Sequence, residues 1–298
     1  MRYFAVLFFI TICNALHAAA IKPGLLAYAP LQLAADTDTT VVDTVPAKKN
    51  SASVGISYGS DALFFGRTGP IRYPFMATDL IFNSKTGFFV YGSALKVLGY
   101  KPVVDEVDIG GGYFYRFSKK FTGTISYTRF IFNKNADIIK SASSNDINFK
   151  NSYDWKYLKT SIIADYLFGK SYDFFTTISN SKYFESEFNI FTDQDFISIN
   201  PTINIILGTQ NFVNRYNVDH PRRIEVDNIF SPYPYGRNPR GNARFTMLNY
   251  SFKLPLAYNT PHYTLEASYR YSIPVNVEGA LKNRKESFFN FTFYYVFY

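Results

Sequence analysis

The ionisable side chains that could do chemistry lie on segments where every second residue is polar. Glu266 and Arg270 fall in the series His262, Thr264, Glu266, Ser268, Arg270, Ser272, with Tyr263, Leu265, Ala267, Tyr269, Tyr271 and Ile273 between. Asp108 and Arg116 share the polar phase of a segment whose other phase is Ile109, Gly111, Tyr113, Tyr115 and Phe117. A side-chain period of two describes a strand with one wet and one apolar face. Lys159, Asp165 and Lys253 are assigned to the same wet face. If the strands close into a tube, these seven charges line its lumen. Buried charges need partners, so the simpler use of this mixture is a salt-bridged filling. The sharper one is a narrow pore whose permeants are selected by Arg116, Lys159 and Arg270.

A second group of candidates is a basic, aromatic stretch within 218–243. It holds Arg222 and Arg223, then Tyr233-Pro234-Tyr235-Gly236-Arg237-Asn238-Pro239-Arg240-Gly241. Proline and glycine oppose helix and strand there, and arginine with tyrosine suits anionic or sugar-bearing ligands. The plainer reading is a solvated charge run, which is preferred; if the stretch binds a ligand, phosphates of surface lipopolysaccharide are the expected partner of Arg222, Arg223, Arg237 and Arg240.

Catalytic and metal chemistry find little support. The histidines are His17, His220 and His262, and the one cysteine is Cys13. Two histidines beyond the leader and no cysteine there make a transition-metal site improbable, and no cofactor is expected. Asp219 precedes His220, but neighbours on an extended chain point apart, and no nucleophile-elbow motif completes a triad. A lipid- or peptide-cleaving enzyme working from outer loops is the rival class. Gly110-Gly111-Gly112 lacks the Lys-Ser/Thr pair and helix of a phosphate loop. Glycines there suit bending or close packing of inner side chains.

The elements that must position these residues follow from composition and order. The 298 residues include 31 Phe and 25 Tyr but one Trp, an aromatic share of 19% that a barrel can place against lipid or in interfacial girdles. The net charge of +8 is modest and dispersed, and secretion argues against nucleic acid. Met1–Ala20 reads as a secretory leader: Arg2, an apolar stretch from Tyr3 to Ile12, and Ala18-Ala19-Ala20 as the cleavage site. Residues 21–50 read as a flexible periplasmic tail, and 51–298 as the barrel.

Twelve strands are expected. The clear ones lie near Ser51–Gly59, Asp108–Phe117, Phe121–Thr128, Ile197–Ile205, His262–Ile273 and Phe289–Phe297. Weaker ones run near Tyr73–Phe82, Gly87–Leu95, Tyr153–Phe168, Phe174–Tyr183, Asn211–Asn217 and Arg244–Leu254. Short joins at Asn83–Thr86, Ser118–Lys120, Gly169–Tyr172, Gly208–Gln210 and Ala257–Thr260 alternate with long ones, including Asn133–Ser152 and Phe184–Phe196. Short periplasmic turns and long outer loops have this asymmetry. Both ends on one side require an even count, which brings in Asn211–Asn217. Pro201 is discordant inside a strand, and which face of Phe289–Phe297 meets lipid is left open.

The chain resembles the uncharacterised outer-membrane barrel proteins of Bacteroidota. The residues that carry the likeness are Pro74, Asn83-Ser84-Lys85-Thr86-Gly87-Phe88, Gly99-Tyr100, and Pro201 with Gly208-Thr209-Gln210-Asn211-Phe212. The resemblance implies a barrel in the outer membrane and no known activity. The expected fold is all-β: one closed, antiparallel, twelve-stranded transmembrane β-barrel, with the strand near Ser51–Gly59 pairing with the last. Its expected role is non-enzymatic: surface binding or structural, or passage of a small solute. Outer-membrane lipids and the barrel-assembly machinery are the expected partners.

Overall fold

The computed structural model describes residues 49–62, 72–134, 143–169, 172–209, 245–276 and 285–298. The leader and the tail expected at 1–20 and 21–50 fall almost entirely outside them, as do His220, the four loop arginines and Asn211–Asn217.

Among the described residues all the regular structure is β. In chain order the strands are β1 (Ser51–Gly59), β2 (Phe75–Asn83), β3 (Phe88–Val97), β4 (Glu106–Arg116), β5 (Phe121–Phe132), β6 (Ser143–Asp154) and β7 (Lys159–Gly169). There follow β8 (Tyr172–Ser181), β9 (Phe184–Glu185), β10 (Phe196–Ile199), β11 (Thr202–Gly208), β12 (Thr246–Asn259), β13 (Tyr263–Pro274) and β14 (Glu286–Phe297). β8 with β9, and β10 with β11, are single staves interrupted once. The fourteen segments therefore make twelve staves. β11 pairs with β12 and β1 with β14, which closes the ring.

Closure satisfies the backbone where no water can. An open edge in hydrocarbon would leave a row of amides unpaired. Tracing paired residues once round the wall returns to β1 about 16 residues along. With twelve staves, that stagger fixes a strand tilt of about 45° and a backbone radius of roughly 12 Å.

The two faces sort as alternation requires. Leu80 is 59% exposed, and Val90, Ile109, Ile162, Ile203 and Phe291 are exposed as well. So much apolar surface pointing outward from a closed wall is a membrane exterior, as in outer-membrane barrels. Inward stand Ser53, Asp79, Ser93, Asp108, Thr128, Asn148, Asn204 and Thr292, all buried. On β14 the open question is decided: Phe289, Phe291, Phe293, Tyr295 and Phe297 face out, while Phe288, Tyr294 and Val296 are buried inward.

Some inward rings lie flat across a neighbouring glycine. Tyr91 on β3 crosses Gly110 on β4, and its hydroxyl bonds Thr128 on β5. Tyr294 on β14 covers Gly55 on β1 in the same way. Within the glycine run of β4, Gly110 and Gly112 thus seat Tyr91 and Phe89 on the inner face.

Two expectations are corrected. Most of β6 lies in the stretch 133–152, expected to be a long loop, and Tyr153–Phe168 is not one strand. It holds the end of β6, a turn at 155–158, and most of β7. Inward Asp146, Asn148, Lys150 and Ser152, with outward Asn151, make β6 too polar to stand out from a loop. The ring also closes without Asn211–Asn217, because β11 pairs directly with β12.

The second correction follows from the first, since an extra strand reverses direction. The joins at Gly169–Tyr172 and Gly208–Gln210 leave from the end remote from the terminal end, where β1 starts and β14 finishes. The join between Phe184 and Phe196 lies at the terminal end instead.

Proline accounts for the interruptions. Pro201 falls between β10 and β11, and its carbonyl accepts the Lys182 amide at 3.2 Å. Its ring nitrogen, with no hydrogen to give, therefore faces the gap between β8 and β9. Pro255 on β12 accepts the Asn200 amide at 3.4 Å and turns its own missing donor toward the gap between β10 and β11.

Candidate functional site

The lumen wall is the candidate site. Asp108, Lys159, Asp165, Lys253, Glu266 and Arg270 stand on inward positions of β4, β7, β12 and β13. Arg116 ends β4, exposed at the terminal rim beside the 117–120 turn. Asp108, Asp165, Lys253 and Arg270 are all buried.

Register brings some of these together. Lys253 and Arg270 are paired directly across β12 and β13. Like charges in that relation repel, so the wall holds a concentrated patch of positive charge. Glu266, four residues before Arg270 on the same face, feels the charge of Lys253. Lys159 lies on the same hydrogen-bonded row, reached through Ser181 and Thr202.

The acids gather elsewhere. Asp108 on β4 is joined by Glu106 on the same strand, by Asp146 on β6 and by Asp165 on β7. Asp165 accepts a hydrogen bond of 2.6 Å from the Asn148 amide. Asp79, buried on β2, lies one residue-pair from this arc through Ser93, which pairs with both Asp79 and Asp108.

β4 and β12 are six staves apart in a ring of twelve. Allowing for tilt, Asp108, Asp146 and Asp165 sit within about 6 Å in height of Lys253 and Arg270. An acidic arc thus faces a basic pair across the lumen. Sequence alone missed Asp79, Glu106, Asp146 and Lys150 as inward groups. For Asp79 the signal was its phase opposite to Met76, Leu80 and Phe82. For Asp146 and Lys150 it was their phase opposite to Ile147 and Phe149.

The ends of the tube are held by short-range contacts. At the far end Asp61 accepts the Tyr73 amide at 2.7 Å, and Asp105 accepts the Val97 amide at 2.7 Å while lying 3.6 Å from Lys96. Arg72 bridges to Glu286 at 3.2 Å. At the terminal end His262 stacks on Tyr295, among the rings of the outer girdle. Among the described residues no group of three His, Cys, Asp or Glu side chains could hold a metal ion.

No protein-family model matches the chain, and no curated protein matches it. Several solved barrels are similar to it. The KdgM porin is 8% identical, with 83% of this chain and 99% of that one covered at a TM-score of 0.47. LpxR from Salmonella typhimurium is 7% identical, with 82% and 99% covered and a TM-score of 0.45. The NanC porin is 13% identical, with 83% and 98% covered and a TM-score of 0.41.

Proposed function

We propose that the protein is a non-enzymatic barrel of the bacterial outer membrane that passes small charged solutes along its lumen. The observation that carries this reading is the separation of charge. Asp108, Asp146 and Asp165 face Lys253 and Arg270 at one level of a closed tube. Charges of opposite sign on opposite walls set up a transverse field, which orients a polar permeant and draws ions to the wall of opposite sign.

Planar-bilayer recording tests it. The wild-type protein should give discrete conductance steps. Lys253→Glu with Arg270→Glu should shift the reversal potential under a salt gradient toward cation selectivity. An unchanged reversal potential would remove the basic pair from the path.

A structural role is favoured by a different observation: inner side chains on almost every stave are buried rather than washed by an open channel. Absence of conductance in correctly folded protein would select that reading.

Recognition of lipopolysaccharide phosphate by Arg222, Arg223, Arg237 and Arg240 is a further proposal, made for residues outside those described. Replacing all four with Glu should weaken lipopolysaccharide binding severalfold, and unchanged affinity would dismiss it. Hydrolysis centred on His220, also outside them, is the rival; turnover of lipid or peptide abolished by His220→Ala would establish it. The barrel-assembly machinery is the proposed partner in biogenesis.

A further inference from the structure

Between β9 and β10 the chain makes a ten-residue excursion at the terminal rim. It is not loosely held. Asp195 accepts the amides of Ile190, Phe191 and Thr192 at 2.6, 2.8 and 2.9 Å, and the Tyr258 hydroxyl at 2.7 Å. Ser186 pairs with Ile197 through both backbone and side chain. Asp195 is enclosed by its own loop and 1% exposed. That enclosure pushes the carboxyl up. The amides and the Tyr258 hydroxyl outweigh this and hold it at about 2.

This tie fixes where the apolar side chains point. Tyr258 is an outward residue of β12, and Phe191 stands edge-on to it with ring centres 5.8 Å apart. Tyr258 in turn meets Tyr263, and Tyr263 meets Phe293, in an aromatic row along the outer wall. Phe191 extends that row beyond the wall and is 82% exposed; Phe188 is 65% exposed. Just above, an apolar groove of about 490 Å³ starts at Ile197 and Tyr258 and runs past Leu256 and Ala267. Glu185, Glu187 and Asp193 give the segment negative charge, which disfavours anionic headgroups.

We propose that the β9–β10 loop is a membrane foot, its Phe188 and Phe191 rings inserted among the phospholipid acyl chains of the leaflet on the terminal side. The occupant is lipid because the rings continue a surface that already faces hydrocarbon, beside a groove with room for an acyl chain. Asp195 is the positioning residue: it satisfies three amides that would otherwise oppose entry into an apolar layer, and it ties the loop to β12. The proposal is independent of whether the lumen conducts.

The chain has one tryptophan, Trp155, so a reporter can be placed cleanly. Full-length Trp155→Phe/Phe191→Trp protein is folded into vesicles of zwitterionic phospholipid brominated high on the acyl chains. Emission should be blue-shifted and quenched at least twofold relative to unbrominated vesicles. Adding Asp195→Ala should remove at least half of that quenching. Trp155→Phe/Phe188→Trp is the second probe should the first variant fail to fold. Emission unaffected by bromine but readily quenched by aqueous acrylamide would overturn insertion. Quenching that survives Asp195→Ala would overturn the positioning role.

Discussion

Replacing Gly110 with alanine tests the seating of rings on the inner face, and its size can be worked from the contacts. A Cβ at Gly110 would fall on the Tyr91 ring and come within 2.6 Å of the Tyr127 carbonyl oxygen. The ring can swing away, but the carbonyl belongs to the wall and cannot. Forcing a methyl into such a site costs about 1–3 kcal/mol. A displaced ring also loses the hydroxyl contact to Thr128, about 0.5–1.5 kcal/mol more. The expected loss is about 2–4 kcal/mol, read as a lower urea midpoint for reversible unfolding in lipid vesicles. A double-mutant cycle locates the cause. With Tyr91→Ala in place, Gly110→Ala should cost appreciably less, because only the clash with the backbone remains. If Gly110→Ala falls within about 0.5 kcal/mol of wild type, or if the two penalties simply add, the ring is not seated on this glycine.

Two further outcomes follow from outward positions and from the rim. Leu80→Arg, near mid-height on the outer wall, should destabilise the barrel by about 2–4 kcal/mol; a neutral result would mean that this face does not meet hydrocarbon. Asp195 is held at about 2 against an ordinary 3.8, so its contribution to the loop is complete above about pH 4 and is lost as pH falls toward 2. Hydrogen-exchange protection of the Ile190, Phe191 and Thr192 amides should therefore fall across that window. Protection unchanged to pH 2 would show that the carboxylate does not hold them.

Legibility of the fold depended on contrast between the two faces of each strand. On β13 the inward Thr264, Glu266, Ser268 and Arg270 differ sharply from outward Leu265, Ala267, Tyr269 and Tyr271, so direction and phase could both be read. On β2 inward Phe75, Ala77 and Ile81 are as apolar as outward Met76, Leu80 and Phe82, and only Asp79 marks the lumen. On β6 the wet face spills over to Asn145 and Asn151, and the strand passes for a loop. The count of twelve nonetheless held, because parity supplied a strand at Asn211–Asn217 in place of the missed one. The charge separation across the lumen was beyond sequence. It depends on which strand lies opposite which, and that follows from ring closure rather than from any local pattern.

The two prolines give the wall a place to yield. Their missing donors face adjacent gaps, so three neighbouring staves lose ladder support along one short line, while the ladders joining β1 to β6 keep an unshifted register. A hoop squeezed from the side bends where its bonding is sparsest. Changes in membrane tension should therefore ovalise this tube about the Pro201–Pro255 line, leaving the staves from β1 to β6 to move as a rigid shell.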